Sequence, residues 1–322
     1  MMFYDIGDRK EITTHEIIRS HFGPIYDIDC YPHTGSSFQF CFLTGSTDRT
    51  IRRWIVAADS KDNTCQVNED KMGLLCDNFD HLKKKTNTND EEDLGKVRAL
   101  KLSPIKDLPH IVCGDSCGFL WVFDSITMSL IKISEEHQSE ILGIDFCPID
   151  DFRDKRTQLV ATCSKDHLIK IYDAKNDYLD IKQIEDHKSA VIGVKFLVDD
   201  NDPDIQLVSA DAKGTVSIRS MDEELQLTEP TQRELAGSKI YSIATCENTV
   251  ILGTDKKVQM AQLRNNNSVV LKKSCTPATA NTREFIKIEA DDVGLYCIAC
   301  SKKKREMSLC DIKAGTISQT FS

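Results

Sequence analysis

The fold of this chain is decided by the stretch Cys41-Phe42-Leu43-Thr44-Gly45-Ser46-Thr47-Asp48-Arg49-Thr50-Ile51-Arg52-Arg53-Trp54. The apolar residues at its start predict a β-strand, and Gly45 and Ser46 predict a tight turn that Asp48 closes. A second strand follows the turn and ends at Trp54. Weaker versions of this strand–turn–strand unit recur along the sequence, which predicts a chain built from repeats.

The strand end at Trp54 sets the period of these repeats. Equivalent positions are Tyr4, Phe123, Tyr172, Arg219, Ala261 and Cys310, and the successive separations, Trp54 included, are 50, 69, 49, 47, 42 and 49 residues. Four-stranded propeller blades repeat every 40–50 residues or roughly so. The predicted fold class is therefore all-β: a single propeller over residues 1–322, with six complete four-stranded blades plus the outer half of another, about seven in all.

A polar insertion at residues 57–94 accounts for the one long interval. Within it, only Gly73-Leu74-Leu75-Cys76 is apolar enough to be predicted as the fourth strand of its blade. The remainder is rich in Lys, Asp, Glu and Asn, and we expect it to be mobile.

Composition restricts the classes of function. The net charge of −10 argues against nucleic acid as a partner, because a phosphate backbone repels such a chain. No apolar run is long enough for a spanning helix, so no membrane partner is expected. The 13 cysteines are read as thiols, several of them small buried strand residues such as Cys30, Cys41 and Cys113, which indicates a reducing, cytoplasmic compartment.

A set of polar residues at fixed places in the repeats makes the chain resemble WD-repeat proteins over almost its full length. That family holds each blade with a hydrogen-bonded His, Ser/Thr, Asp and Trp. The matching residues are His21, Thr44, Asp48 and Trp54 in one repeat, His137, Thr162, Asp166 and Tyr172 in another, and His187 with Ser209 in a third. Other repeats depart from the pattern. Cys117 and Lys213 stand where the turn Asp would be, and Arg219, Ala261 and Cys310 replace the aromatic residue, so those blades are expected to rely on apolar packing.

A closer resemblance is carried by residues 41–54, by Lys175-Asn176-Asp177-Tyr178-Leu179, by Asp186-His187 and by Ile192-Gly193-Val194-Lys195-Phe196. These stretches are similar to the second propeller of the scaffold family of mitogen-activated protein kinase-binding protein 1 and WD repeat-containing protein 62. The resemblance implies a non-catalytic scaffold with protein partners, in c-Jun N-terminal kinase signalling and at cytoskeletal structures such as centrosomes and spindle poles. It also implies that the kinase-docking segments lie outside the region covered.

The two ends of the sequence predict an incomplete blade. Residues 3–5 and 12–18 match third and fourth strands with no inner pair before them. The resemblance implies a further repeat, so the chain is expected to be a fragment of a longer protein. The alternative is a six-bladed ring with the half blade packed against the last blade.

No catalytic, cofactor or metal site is predicted. The histidines lack metal-ligand spacing, and Cys297 and Cys300 fall on opposite faces of one strand. The run Gly114-Asp115-Ser116-Cys117-Gly118 has neither the Lys nor the following helix of a phosphate loop. The basic turn Lys302, Lys303, Lys304 and Arg305 is a candidate partner contact, although it also fits an ordinary solvated turn.

Three other functions remain open at this point. The chain could be the substrate receptor of a ubiquitin ligase, an enzyme with polar groups at the propeller axis, or a binder of nucleic acid or microtubules. The sequence leaves the partner, the binding face and the oligomeric state undetermined.

Overall fold

The computed structural model describes residues 2–5, 13–17, 20–30, 39–59, 64–75, 95–105, 107–148, 157–198, 204–222, 224–234, 238–246, 249–263, 269–275, 285–290, 296–301, 306–314 and 316–321. Over these ranges the chain forms strands β1 to β26 and no helix. The basic turn at 302–305 lies outside them, so the candidate contact there stays a prediction.

Six antiparallel four-stranded sheets follow one another along the chain, each in the simple order of its strands. We call them blades 1 to 6. Blade 1 is β3 (Ile25–Cys30), β4 (Gln39–Ser46), β5 (Thr50–Asp59) and β6 (Thr64–Leu74); blade 2 is β7 (Val97–Leu102), β8 (His110–Asp115), β9 (Phe119–Asp124) and β10 (Leu130–Glu135); blade 3 is β11 (Ile141–Phe146), β12 (Leu159–Ser164), β13 (Ile169–Asp173) and β14 (Leu179–Ile184).

The later blades have the same order. Blade 4 is β15 (Val191–Leu197), β16 (Ile205–Asp211), β17 (Thr215–Met221) and β18 (Thr231–Glu234); blade 5 is β19 (Ile240–Cys246), β20 (Thr249–Thr254), β21 (Val258–Leu263) and β22 (Val269–Cys275); blade 6 is β23 (Phe285–Ala290), β24 (Tyr296–Ser301), β25 (Glu306–Asp311) and β26 (Thr316–Phe321). The prediction of an all-β fold with six complete four-stranded blades is thus confirmed.

The first two strands, β1 (Met2–Asp5) and β2 (Thr13–Ile17), form a separate two-stranded sheet. Compact packing divides the chain into unit 1 (Met1–Ile144) and unit 2 (Asp145–Ser322), with the boundary inside β11. Unit 1 contains the two-stranded sheet and blades 1 and 2.

Burial along each blade explains why these sequences form these strands. The second strands are covered on both faces, so every residue of β12 and β16 is buried. Such strands read as continuous runs of small and apolar residues. The outer strands β10 and β14 are mostly exposed and mix apolar with charged residues. Small thiols fill the buried positions Cys113, Cys147 and Cys163.

Two cysteines differ from the prediction. Cys30 is exposed and Cys41 only half-buried, although their strand positions predict burial. A strand position sets which way a side chain points, whereas burial also requires a neighbouring sheet on that side.

Blade 1 also has a longer fourth strand than the sequence predicts. β6 begins at Thr64, and its register runs from Asp59 opposite Thr64 to Thr50 opposite Leu74. Residues 57–74 of the predicted mobile insertion therefore include ordered strand. The side chains of Asn68, Glu69 and Asp70 are exposed, which is why composition alone indicates a loop.

Carboxylates on the inner strands connect neighbouring blades within each unit. In unit 1, the backbone N–H of Leu100 donates to Asp27 Oδ2 at 2.9 Å, and that of Leu102 donates to Asp29 Oδ2 at 2.8 Å. Lys101 Nζ lies 2.9 Å from Asp29 Oδ1. Because β7 is the edge strand of its sheet, these side chains supply acceptors that no further strand provides.

Unit 2 repeats this arrangement between blades 3 and 4. The N–H of Phe196 donates to Asp145 Oδ2 at 2.9 Å, and Lys195 Nζ lies 3.2 Å from Asp145 Oδ1. Asp29 and Asp145 occupy the same place, four residues into their inner strands. Both of these blade-to-blade contacts therefore include a carboxylate that accepts backbone N–H groups.

We expect Asp145→Ala to lower the free energy of unfolding by about 2 kcal/mol, because a buried N–H loses its acceptor and Lys195 loses its counter-ion. The control is Asp180→Ala, which removes a half-exposed carboxylate 3.6 Å from Lys170 and should cost less than about 1 kcal/mol. Urea denaturation of both variants measures the difference. Equal losses would contradict a role for Asp145 in joining the blades.

Candidate protein-interaction site

In the polar network of blade 1, the donor and the acceptor of each hydrogen bond can be identified. His21 Nδ1 lies 2.8 Å from Asp48 Oδ2, and His21 Nε2 lies 2.6 Å from Thr44 Oγ1. Trp54 Nε1 donates to Thr44 Oγ1 at 2.9 Å. Since Thr44 accepts from Trp54, its own hydroxyl proton is available to Nε2, and Nδ1–H donates to the carboxylate. The imidazole is thus held neutral in one tautomer, and the four predicted residues come together.

Asp48 also fixes the turn in which it lies. Its Oδ1 accepts the N–H of Thr50 at 3.0 Å and the Thr50 hydroxyl at 2.6 Å, and its Oδ2 accepts the N–H of Phe22 at 3.0 Å. Burial alone would raise the pKa of Asp48, but the hydrogen bonds from Thr50, His21 and Phe22 hold it below its usual value. Burial lowers the pKa of His21 in spite of Asp48.

In blade 3 the structure places the predicted residues as follows. Thr162 and Tyr172 are fully buried on β12 and β13, and His137 is buried four residues before β11. Asp166 Oδ1 accepts the N–H of Leu168 at 3.0 Å, so this carboxylate closes its turn as Asp48 does. The four-residue network itself stays a prediction in this blade.

In blade 4 the missing turn carboxylate is replaced by another. His187 Nε2 lies 2.7 Å from Ser209 Oγ, the predicted pair, and Nδ1 lies 3.4 Å from Asp211 Oδ2 without hydrogen-bonding geometry. Asp211 Oδ1 accepts the N–H groups of Lys213 and Thr215. The pattern requires the turn carboxylate at position 213, which is Lys213 here. The carboxylate of this blade belongs to Asp211, two residues earlier.

Blade 2 shows the same shift of two residues. Asp115 is fully buried; its Oδ1 accepts the N–H groups of Cys117 and Phe119, and its Oδ2 accepts Trp121 Nε1 at 3.0 Å. The expectation that this blade relies on apolar packing is therefore wrong. A signal was present in the sequence, because Asp115 and Trp121 have the six-residue spacing of Asp48 and Trp54.

The replacement of the aromatic residue by Arg219 in blade 4 is also compensated by polar contacts. Arg219 Nε and Nη2 donate to the two oxygens of Asp186 at 2.7 and 2.5 Å, and Ser217 Oγ donates to the same carboxylate. Pairing with Asp186 raises the pKa of Arg219 further. A fork-shaped ion pair therefore takes the place of the ring in this blade, and packing alone does not hold it.

These polar groups stabilise the turns and strands within their own blades. In the part of the chain that the structure describes, no three His, Cys, Asp or Glu side chains gather as a metal site. The described residues include no helix long and apolar enough to cross a membrane.

A different surface of unit 1 is exposed and apolar. It comprises Met72 and Leu74 on β6, Ile126 in the turn between β9 and β10, and Leu130, Ile131 and Ile133 on β10. We call this set the rim patch. Ile126 is 60% exposed and Met72 is 49% exposed. Sequence reasoning missed this surface, because apolar residues on predicted strands are ordinarily assigned to the core.

Polar contacts fix the rim patch in place. Arg53 Nη1 donates to the carbonyls of Ser125, at 2.5 Å, and of Ile126, at 3.0 Å, while its Nε donates to Asp70. Lys71 Nζ donates to the carbonyl of Ile126 at 2.8 Å. Two cations from blade 1 thus hold the turn of blade 2 that presents Ile126.

Comparisons with known proteins agree with this geometry. The family model "WD domain, G-beta repeat" matches residues 11–55 and 128–173. Together with the six blades and the network around Asp48, these matches show a chain built from WD repeats.

Two named proteins are similar to most of this chain. Mouse mitogen-activated protein kinase-binding protein 1 is 24% identical over 236 residues, which is 67% of this chain and 15% of that protein. Mouse WD repeat-containing protein 62 is 24% identical over 338 residues, or 97% of this chain and 21% of that protein, and the pig protein of that name is 23% identical over 335. The resemblance to these two proteins is confirmed, and the chain spans about a fifth or less of their length.

We expect Asp115→Ala to lower the free energy of unfolding by on the order of 3 kcal/mol, because three buried N–H donors lose a charged acceptor. The exposed Asp107→Ala is the control, with an effect within about 0.5 kcal/mol. The chain has 2 tryptophans, so fluorotryptophan labelling yields two fluorine resonances. The Trp121 resonance should shift in the Asp115 variant while the Trp54 resonance stays in place. If neither resonance shifts, the hydrogen bond from Trp121 to Asp115 does not determine the environment of Trp121.

Stability should fall as the pH drops from 7 to 5. Burial lowers the pKa of both His21 and His187, so below the ordinary histidine pKa of about 6.5 the unfolded chain binds protons that the folded chain refuses. The lowered pKa of Asp48 adds a further loss below about pH 4.

The test is thermal denaturation across this range with the double variant His21→Asn and His187→Asn. We expect it to be less stable at pH 7 and to depend less on pH between 7 and 5. The exposed His167→Asn serves as control and should keep the wild-type slope. A double variant with the wild-type slope would refute the assignment to these two imidazoles.

Proposed function

We propose that this chain is a non-catalytic protein–protein interaction module that works as part of a scaffold. The observation that carries the proposal is the distribution of exposed apolar side chains. Among the residues whose burial the structure describes, the large ones are Phe22, Tyr26, Ile28, Met72, Leu74, Ile126, Leu130, Ile131, Ile133 and Leu179, and six of these form the rim patch. Exposed apolar side chains that gather in one region mark interaction sites, whereas single ones scattered over a surface are ordinary.

The rim patch has the physical properties of a binding surface. Its side chains project from hydrogen-bonded strands and from a turn that Arg53 and Lys71 hold. Little conformational entropy is then lost when a partner covers it. The partner that fits is a protein with a complementary apolar surface, because the cations at the patch are already bound to carbonyls and to Asp70.

The relatives suggest the setting in which this module works. One relative, mitogen-activated protein kinase-binding protein 1, is named for the binding of a mitogen-activated protein kinase. We propose that this chain contributes protein contacts to an assembly of the c-Jun N-terminal kinase pathway, in the cytoplasm and at centrosomes or spindle poles. The kinase itself would be bound by other parts of such a scaffold, as the resemblance implies.

The test is quantitative proximity labelling in cells with the longest natural form of the protein. We expect the double variant Ile131→Glu and Ile133→Glu to reduce labelling of specific neighbours by about tenfold, as for the loss of central apolar anchors. The control is Leu179→Glu, an apolar residue on the outer strand of blade 3 that is at least as exposed as the two isoleucines. Melting temperatures of the purified variants should agree, since each replaced side chain is exposed.

The outcomes separate the candidate functions. If the rim and control variants label the same proteins, the rim patch is not an interaction site. If the neighbours lost in the rim variant are cullin adaptors, the alternative of a ubiquitin-ligase receptor replaces the kinase-pathway assignment.

A further inference from the structure

The outer strand of blade 2 has an open edge that carries apolar side chains. β10 stands at the end of its sheet, and β9 is its one sheet neighbour among the described strands. Leu130, Ile131 and Ile133 on this strand are 44%, 48% and 43% exposed. Edge strands offer N–H and C=O groups to other chains, so proteins usually keep such strands short or place charged residues on them.

Two other outer strands are protected in this way, and β10 is not. β18 (Thr231–Glu234) has only four residues. β14 includes Lys182 and Asp180, and Asp180 lies 3.6 Å from Lys170 of the neighbouring strand. β10 has six residues, and three of them are exposed and apolar. Of these three outer strands, β10 is therefore the one suited to pairing with a further strand.

The hydrogen bonds at the end of β10 show which backbone groups reach its open edge. The N–H of Glu136 donates to the carbonyl of Gly118 at 3.2 Å, directly beyond the last paired residues of β9 and β10. Along an antiparallel ladder, residues that exchange hydrogen bonds with the partner strand alternate with residues whose N–H and C=O point away from it. Ser134, two residues before Glu136, therefore bonds to β9, and the N–H and C=O of Ile133 point to the open edge.

The exposed side chains of β10 lie on the apolar face of the sheet. Ile133 is directly opposite Trp121, and Leu130 is directly opposite Phe123. Both aromatic residues belong to the hydrophobic cluster that joins blade 2 to Ile51 of blade 1. Because opposite residues of a ladder project to the same face, a strand added beside Ile133 would extend this apolar face outward.

We infer that β10 takes up an extended segment of a partner protein as a fifth, antiparallel strand of blade 2. The backbone of the segment bonds to the N–H and C=O of Ile133, and its alternate apolar side chains pack beside Ile133 and Leu130. The inference rests on the interaction role proposed for the rim patch and names the kind of partner that the patch binds.

The charges near β10 specify a further residue of the segment. β10 ends at Glu135, which is exposed, and the chain has a net charge of −10. Complementary charge therefore favours Lys or Arg in the partner opposite Glu135. In an antiparallel strand this basic residue stands two positions before the apolar residue that faces Ile133. The expected segment is thus a basic residue, any residue and then alternating β-branched residues.

A second copy of this chain fits the edge less well. Each copy has a net charge of −10, which opposes self-association. If two β10 strands paired with Ile133 opposite Ile133, a regular ladder would also place Ile131 of one copy opposite Glu135 of the other. An apolar side chain would then cover a carboxylate. A different protein is therefore the expected occupant.

The test uses a synthetic peptide, Thr-Lys-Thr-Val-Thr-Val-Thr, acetylated and amidated at its ends. We expect a saturating concentration to slow hydrogen exchange of the Ile133 amide by about fivefold, the effect of one backbone hydrogen bond. Exchange at Ile181, on the outer strand β14 of blade 3, should stay unchanged. Nuclear magnetic resonance of the isoleucine-labelled chain measures both amides. No protection of Ile133 would overturn the inference.

Two N-methylated forms of the peptide separate strand pairing from plain hydrophobic contact. The residue opposite Ile133 exchanges hydrogen bonds with it, so the amides of lysine and the two valines face β10 and those of the central threonines face away. Methylation of the lysine and valine amides should abolish protection of Ile133, whereas methylation of the central threonine amides should leave it. Equal behaviour of the two forms would show that no strand is added.

A proline at position 133 tests the same hydrogen bond from the side of the chain. Ile133→Pro keeps an apolar side chain but removes an N–H that faces the open edge, where proline is tolerated. We expect about fivefold weaker peptide binding, while Ile133→Val binds as the wild type does. The melting temperature of the proline variant should stay close to that of the wild type. A large fall leaves the N-methylated peptides as the deciding experiment.

Proximity labelling distinguishes failure of this inference from failure of the proposed function. Ile133→Pro should lose the same neighbours as the double variant Ile131→Glu and Ile133→Glu. If the double variant loses them and Ile133→Pro keeps them, the rim patch binds its partner without strand addition, and only this inference is wrong. Slow exchange of the Ile133 amide in the longest natural form of the protein alone would also overturn it, because the edge would then be covered by the same polypeptide.

Discussion

The blades depend on carboxylates that accept hydrogen bonds from the backbone. A tight turn between the second and third strands leaves N–H groups that the ladder does not use. Asp48, Asp115, Asp166 and Asp211 accept them in blades 1 to 4. Because a buried donor without an acceptor costs about 1–3 kcal/mol, each of these four turns has such an acceptor, even where Cys117 or Lys213 occupies the position of Asp48. The histidine and tryptophan contacts are added to this acceptor and vary from blade to blade.

The blades also differ in the residue that has a positive φ in the turn between the second and third strands. Blades 2 and 4, with the early Asp, have Gly118 and Gly214 at positive φ; blades 1 and 3 have Arg49 and His167 there. A Cβ on Gly118 would lie 2.2 Å from the carbonyl of His137, so that turn is packed under the next loop and requires glycine. At Arg49 and His167 a side chain is accommodated, which makes these two turns the ones that can differ in surface chemistry.

Local rules recovered most of the fold from the sequence and failed where contacts come from another part of the chain. The period-two pattern and the turn residues predicted six four-stranded sheets, and the repeat ending at Trp54 identified its whole polar network. Asp115 was missed because it stands two residues before the position that corresponds to Asp48. Its partner Trp121 is displaced by the same two residues, so a comparison at fixed positions finds neither of them. Cys30 was assigned to the interior because its strand position is normally packed, while its actual exposure depends on a sheet that does not cover it. The rim patch was missed for the same reason, since no local pattern distinguishes Ile131 from a core residue.

The direction of the blade contacts connects the fold to the interaction role. Between blades 1 and 2, and again between blades 3 and 4, the inner strand of one blade offers a carboxylate to the next, as Asp29 does to Leu102 and Asp145 does to Phe196. Such contacts are asymmetric, because one inner strand supplies the acceptors and the next supplies the donors. These polar groups are therefore used inside the fold and are not available to a partner. The rim patch differs, because its apolar side chains are exposed while Arg53 and Lys71 hold the turn that presents Ile126. The interaction role proposed above therefore rests on the outer strands, and the inner strands serve the stability of the blades.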